Sequence, residues 1–467
     1  MLLKYFYDRT LAQASYMIGC QETHEALIVD PSRDIDQYLH AAQQARMTII
    51  DVAETHIHAD FVSGARELAH ATGAALYLSA EGGEDWSYQF LRENDVPLKD
   101  GDSWMIGNIR IEAMHTPGHT PEHMIFLVTD TAGADKPMGI ITGDCLFVND
   151  VGRPDLLETA AGVIGSKEVG ARGQFANVQK LKTMPDYLQV WPGHGAGSAC
   201  GKSLGAIPSS TLGYEKLFNP AFQFSDEDAF VRWLLTGQPD TPHYFKHMKR
   251  INKEGPALLT DLPDPLPMDS FTYPDITASG ANVIDARPDL RDGTIVTGAI
   301  RIPPTDRFNT YAGWMVNYDK PTYLIASAED LPRFIKELHA VGIDQLEGFF
   351  TPDQVESYLT TIPQLDVKEA ADLIASGAVV LDVRAKNEFH EGHIHNAVNL
   401  HYGMLAHGVP PLFQETLPQN TSVIVYCATG ARSQIASSML QNWGVPNVYN
   451  LTYGFDSWQK AGLTVEH

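Results

Sequence analysis

The sequence predicts an α/β protein of several domains on three observations: strand-like apolar runs alternating with helix-forming stretches, a proline-rich break past its middle, and a repeat beyond that break. Ala26-Leu27-Ile28-Val29-Asp30-Pro31 and Thr48-Ile49-Ile50-Asp51-Val52-Ala53 are short apolar runs stopped by polar or turn residues, the pattern of buried strands. Between them residues 35–45 carry helix formers, with Leu39 and Ala42 on one side, and the alternation continues to residue 200. Leu262-Pro263-Asp264-Pro265-Leu266-Pro267 favours stiff, extended backbone, which puts a domain boundary near residue 265. Beyond it, Ile284-Asp285-Ala286-Arg287 is answered by Leu381-Asp382-Val383-Arg384. Gly298-Ala299-Ile300-Arg301 is answered by Asn396-Ala397-Val398-Asn399, and Tyr323-Leu324-Ile325-Ala326-Ser327 by Val423-Ile424-Val425-Tyr426-Cys427. Three matches in one order point to two copies of a unit of about 95 residues. The expected domains are residues 1–260, 268–361 and 362–467, in keeping with 467 residues at about 150 per domain.

Composition excludes some functions. A net charge of −25 repels a phosphate backbone, so nucleic acid is not an expected partner. No uninterrupted apolar stretch reaches the 18 or so residues that span a bilayer, and the start, Met1-Leu2-Leu3-Lys4, is unlike a secretory signal. No membrane role and a cytoplasmic location are the expectations. Cys20, Cys145, Cys200 and Cys427 form no C-x-x-C pair and read as individual thiols of a reducing compartment.

Three segments place imidazole or carboxylate directly after an apolar strand: Thr55-His56-Ile57-His58-Ala59-Asp60-Phe61, His115-Thr116-Pro117-Gly118-His119-Thr120, and Thr142-Gly143-Asp144. Strand-end loops on a rigid scaffold can converge on one ion, and nitrogen and carboxylate donors suit a borderline divalent metal. In this order the H-x-H-x-D, T-P-G-H-T and T-G-D motifs resemble the metallo-β-lactamase superfamily. That resemblance implies an αββα sandwich with the metal at one edge.

The departures narrow it. Glyoxalase II-like thioesterases of the superfamily carry H-x-H-x-D-H and two metals, whereas Phe61 stands at the last histidine here and cannot ligate. The first site then resembles that of the persulfide dioxygenases, and carrying over their ligands gives His56, His119 and Asp144. The implied cofactor is one Fe(II) per chain, with O₂ as co-substrate, since two histidines and a carboxylate leave open positions. His58 and Asp60 are expected to orient a ligand or bound water, with direct ligation by His58 left open. Gly152-Arg153-Pro154-Asp155 resembles the G-R-x-D turn of the dioxygenases, where Arg153 either meets an anionic substrate or forms a structural Arg-Asp turn. His194 falls where two-metal members have a second-site ligand. The glycine-rich stretch ending in Cys200 resembles dioxygenases fused to rhodanese domains. His194 and Cys200 are accordingly candidate substrate-binding residues, with a packed structural role as the alternative.

Cys427-Ala428-Thr429-Gly430-Ala431-Arg432-Ser433 lies between a strand and a helix expected over residues 434–443. Amide N–H groups at a helix N-terminus, with Arg432, favour a thiolate and a bound sulfane anion at Cys427. The loop looks like a rhodanese active loop, with Cys427 and Arg432 in the catalytic roles. A C-x₅-R phosphatase is the chemical rival. In the first copy Ser327-Ala328-Glu329-Asp330 has neither the cysteine nor the arginine, which implies a degenerate, non-catalytic rhodanese domain.

The combined expectation is a persulfide dioxygenase and sulfurtransferase. Low-molecular-weight thiol persulfide would be oxidised to sulfite, and sulfite joined to sulfane sulfur as thiosulfate at Cys427. The alternatives are a glyoxalase II-like zinc thioesterase fused to rhodanese domains, and a sulfur-carrier or sensing protein. Self-association as a homo-oligomer is expected from the family alone.

Overall fold

The computed structural model describes residues 1–159, 165–202, 204–288, 292–408 and 421–467. The chain divides into two compact units, Met1–Leu262 with His339–Gly342, and Pro263–Leu338 with Ile343–His467.

The first unit contains two six-stranded sheets. One runs in sequence order from Leu2–Asp8 to Val96–Leu98, and the other in reverse order from Ser210–Thr211 to Ser103–Ile106. The strands alternate between two cores, as a period of two demands. Tyr16, Ile18, Leu27 and Val29 meet Ile109, Ile111, Phe126 and Val128 in a core shared by both sheets. Their neighbours Met17, Ala26 and Ile28 pack outward on Tyr38 and Ala42 of helix Asp36–Ala45 and on Leu68 of helix Ala65–Thr72. The second sheet is covered in turn by helix Ser166–Lys182 and by Phe230 and Leu234. The result is the αββα sandwich expected from the motifs. Helix Asp36–Ala45 and strand Thr48–Ala53 fall where the sequence puts them.

Sequential strands Glu25–Val29, Thr48–Ala53 and Ala75–Ser79 pair in parallel, as do Gly139–Gly143 and Gln189–Pro192. Parallel pairing aligns the strand ends, so the loops opening after Ala53, Gly143 and Pro192 lie at one edge of the sandwich.

The second unit contains the repeat in three-dimensional form. Leu266–Pro267, Leu346–Phe350, Thr322–Ile325, Asn282–Asp285 and Ile300–Arg301 make one five-stranded sheet. Gln364–Leu365, Val448–Leu451, Val423–Tyr426, Val379–Asp382 and Val398–Asn399 make another in the same relative order, and both are parallel throughout. The recurring Asp-x-Arg is a buried ion pair in each copy: Asp285 holds Arg287 at 2.8 Å and Asp382 holds Arg384 at 2.7 Å. Among the described residues no helix is long and apolar enough to cross a membrane.

Candidate metal centre

His56 follows strand Thr48–Ala53, His119 lies in the loop between Ile109–His115 and Met124–Asp130, and Asp144 follows Gly139–Gly143. All three are buried, and one donor atom from each lies within 4.8 Å of the others. His119 Nε2 is 3.4 Å and His56 Nε2 is 3.9 Å from Asp144 Oδ2. Each imidazole is fixed through its other nitrogen. His119 Nδ1 donates to the Arg153 carbonyl at 2.9 Å, which leaves its Nε2 as an acceptor. His56 Nδ1 is 2.9 Å from the Thr55 hydroxyl, which is 2.8 Å from Asp30 Oδ2; as that carboxylate can only accept, the relay makes His56 Nε2 the lone-pair nitrogen. Burial, then the neighbouring imidazoles, press His56 well below its ordinary range, and burial lowers His119 too, so both stay neutral.

Asp144 is the clearest sign of a cation. Neither of its carboxylate oxygens accepts a hydrogen bond among the described residues, although the residue is fully buried. A buried, unbonded carboxylate between neutral imidazole nitrogens is costly alone and apt for a divalent metal. The residues present therefore fit such an ion.

His58 takes a different position. Its Nε2 faces Asp30 Oδ1 at 3.2 Å, while its ring lies tilted against that of Phe61, 4.4 Å between centroids. Burial opposes its charge, but the Asp30, Glu54 and Asp60 carboxylates together outweigh that and raise the imidazole to about 9. It thus serves Asp30, the same carboxylate that anchors Thr55. Asp60 goes elsewhere: its Oδ2 is 3.2 Å from His194 Nε2, and that nitrogen is 3.5 Å from Asp144 Oδ1. With Cys200 these residues form a second buried cluster of potential donors. The sequence puts His194 where two-metal members have a second-site ligand, and the structure sets it beside Asp60 and Cys200. Cys200 is buried, and burial followed by the Asp60 and Asp144 carboxylates holds its thiol well above the ordinary range.

Arg153 forms a buried ion pair within its own turn. It is 2% exposed, and its guanidinium pairs with Asp155 at 2.5 Å and donates to the carbonyls of Ala199 and Pro239. It clamps the loop that carries Cys200, and its own carbonyl holds His119.

Sequence reasoning missed four positioning residues. Asp30 sits at a φ of +51° just after a strand, an uncommon backbone for a non-glycine residue. Thr55 is the relay already described. His123 accepts from the Asp144 amide through Nε2 at 3.0 Å. Asn252, on the distant helix Phe245–Glu254, donates to the carbonyls of His58 and Phe61 at 2.8 Å each and had no sequence signal.

In the second unit, strand Val423–Tyr426 delivers Cys427 to a loop closed by helix Ala431–Asn442. The helix starts three residues earlier than residue 434, because Gly430 at a φ of +119° turns the chain and the Ser433 hydroxyl caps its carbonyl at 3.0 Å. Arg432 and Ser433 consequently lie in the first turn, with Ala428 and Thr429 in the loop. The Gly430 amide donates to Cys427 Sγ at 3.1 Å, consistent with an anion-stabilising loop. Both terminal nitrogens of Arg432 are engaged by Glu388, at 2.5 and 2.8 Å. At the matching place in the first copy, the Ser327 hydroxyl is spent on Asp330 at 2.8 Å.

Comparison with known proteins agrees with both architectures. Residues 8–194 match the metallo-beta-lactamase superfamily and residues 366–461 the rhodanese-like domain. A probable polyketide biosynthesis zinc-dependent hydrolase, BaeB of Bacillus velezensis, is 26% identical over 49% of this chain and 89% of its own length. The mitochondrial persulfide dioxygenase ETHE1 of Bos taurus is 24% identical over 50% of this chain and 80% of its own. A crystal structure of a metallo-beta-lactamase from Staphylococcus aureus is 44% identical, covers 75% of this chain and 99% of that one, and superposes with a TM-score of 0.69. The fold, the converging metal-type donors and this coverage together show that the chain belongs to the metallo-β-lactamase superfamily and joins to that domain a C-terminal rhodanese-like domain.

Proposed function

We propose that the protein oxidises low-molecular-weight thiol persulfides at the His56–His119–Asp144 centre and processes the sulfur at Cys427. The reading rests on one pairing: a two-histidine, one-carboxylate cluster beside Phe61, in the same chain as a Cys427 loop built to hold an anionic sulfur. Relatives named persulfide dioxygenase support it.

His56, His119 and Asp144 would hold Fe(II), which supplies the redox chemistry that lets O₂ meet a bound persulfide. The overall change balances as RSSH plus O₂ plus H₂O giving RSH and sulfurous acid, which ionises to sulfite. Around it the protein keeps His56 and His119 neutral and directed by Thr55 and Arg153, and it buries Asp144 away from competing hydrogen bonds. Cys427 then works without an external oxidant. A Cys427 persulfide passes its outer sulfur to sulfite: the Cys427 sulfur–sulfur bond breaks, the sulfur–sulfur bond of thiosulfate forms, and Cys427 leaves as thiolate. We assign the domains as residues 1–260, 268–361 and 362–467, the middle one a degenerate rhodanese repeat, and place the protein in the reducing cytoplasm, as four unpaired cysteines support.

The test is an oxygen electrode and anaerobic metal analysis on the full chain, with glutathione persulfide as probe. About one iron per chain and one O₂ per persulfide are expected. A second reading, a zinc-dependent hydrolase, draws on the Asp60–His194–Cys200 cluster and on hydrolase relatives. Two tightly bound zinc ions with thioester hydrolysis and no oxygen uptake would establish it and overturn ours.

A further inference from the structure

Arg432 commits both terminal nitrogens to Glu388, so the Cys427 site has less free donor capacity than its loop motif implies. A sulfur oxyanion arriving there also meets the Glu388 carboxylate. The first repeat packs on the second. Its helix Phe308–Met315 packs on residues 402–407 of the second repeat, with the Tyr311 and Tyr402 rings 5.6 Å apart and edge-on. Trp314 lies 4.7 Å from the His401 ring and 5.8 Å from that of Tyr402. Gly403 is required there, since a Cβ would come within 2.1 Å of the Trp314 ring. Tyr402 is tied to the Cys427 strand, its amide donating to the Val383 carbonyl at 3.2 Å and the Val383 amide to that of Tyr426 at 3.0 Å. The first repeat also grips the helix that follows Cys427: the Arg301 amide donates to Ser438 Oγ at 3.0 Å, and Asn442 bonds both Gly298 and Ala299.

This double attachment fixes Tyr311 beside Tyr402, within electrostatic reach of Cys427, Arg432 and Glu388. Its phenol is buried, which is the main force raising it above its ordinary range; Arg432 and Arg307 act against that shift, and Cys427 and Glu388 add to it. A phenol in that field stays protonated at neutral pH and is a hydrogen-bond donor.

We propose that the repeat lacking a sulfur nucleophile supplies Tyr311 to the Cys427 site, where its hydroxyl donates a hydrogen bond to the oxygens of a bound sulfur oxyanion, thiosulfate or sulfite. The inference rests on the sulfur-transfer reading above and assigns the first repeat a part in the same pocket. In the reverse reaction the Cys427 thiolate attacks the outer sulfur of thiosulfate. The sulfur–sulfur bond of thiosulfate breaks, that of the Cys427 persulfide forms, and sulfite leaves with the electron pair.

The experiment uses the full chain with thiosulfate as donor and cyanide as acceptor. Tyr311→Phe keeps the ring against Tyr402 and should raise KM for thiosulfate about tenfold, the effect of one hydrogen bond to a charged group, with kcat little changed. Loading of Cys427 from glutathione persulfide, whose outer sulfur bears no oxygen, should keep its wild-type rate by mass spectrometry. Trp314→Leu disturbs the same junction without removing the hydroxyl and should not reproduce this donor selectivity. An unchanged KM in Tyr311→Phe, or an equal loss with both donors, overturns the inference. A wild-type chain that loads from neither donor overturns the sulfur-transfer reading itself.

Discussion

At the scale of single residues, the candidate metal centre turns on Asp144, whose two buried oxygens accept no hydrogen bond among the described residues and face the neutral imidazoles of His56 and His119. Asp144→Ala or His119→Ala reduces the cluster to two protein donors, which bind iron weakly. Both variants should lose iron by metal analysis and oxygen uptake by electrode, yet still form the Cys427 persulfide. Full oxygen uptake in either would dismiss the ligand assignment. Asp51 offers a separate prediction about stability. Burial, then the Glu25 carboxylate, raises its carboxyl to about 7. A folded-state value above the unfolded one means that ionisation opposes folding, a cost absent below about pH 4 and growing up to about pH 7. Asp51→Asn should therefore be more stable than the wild type at pH 8, by about 1–2 kcal/mol after allowance for solvent screening. The gain should vanish near pH 4, and melting curves at the two pH values check it.

At the scale of elements, strand ends position the donors and short relays aim them. The path from His56 through Thr55 to Asp30 links two neighbouring parallel strands at their ends. Thr55→Val keeps the shape of the side chain and deletes the relay, so metal affinity should fall about 10- to 100-fold. Metal competition titration reads this, and unchanged affinity would show that packing alone orients His56. In the second unit the comparable device is the start of helix Gly454–Lys460, whose Phe455 and Asp456 amides donate to the carbonyls of Cys427 and Ala428. Gly454 has a φ of +56°, and a Cβ there would lie 2.2 Å from the Cys427 carbonyl oxygen. Gly454→Ala should cost about 1–3 kcal/mol and displace the sulfur loop. Thiosulfate:cyanide transfer should fall sharply while oxygen uptake remains, a split that a global unfolding would not produce.

At the scale of the whole molecule, the proposed metal donors all come from the first unit and Cys427 from the second, so the two proposed reactions are separable by substitution. Cys427→Ser removes the sulfur nucleophile at nearly constant size. Persulfide at that loop and the thiosulfate derived from it should disappear, and product should shift to sulfite with one O₂ still consumed per persulfide. Anion chromatography after complete oxidation decides the matter. Thiosulfate at wild-type yield would mean that Cys427 does not couple the two reactions.

The sequence by itself carried the α/β class and the repeat, because strand periodicity is local, while its resemblance to the metallo-β-lactamase superfamily implied the αββα sandwich and singled out His56, His119 and Asp144, which the structure brings together. The Cys427 loop was legible for the same reason, down to the glycine that turns it. What only the tertiary structure decided was which side chains those residues meet. Asp30 and Asn252 reach the site from elements far apart in the chain, and no local pattern marks such a contact. Arg153 and Arg432 carry the right charge for an anion, and the fold pairs each with a carboxylate, Asp155 and Glu388. Cys200 became a neighbour of Asp60 and His194 only when the strand ends converged.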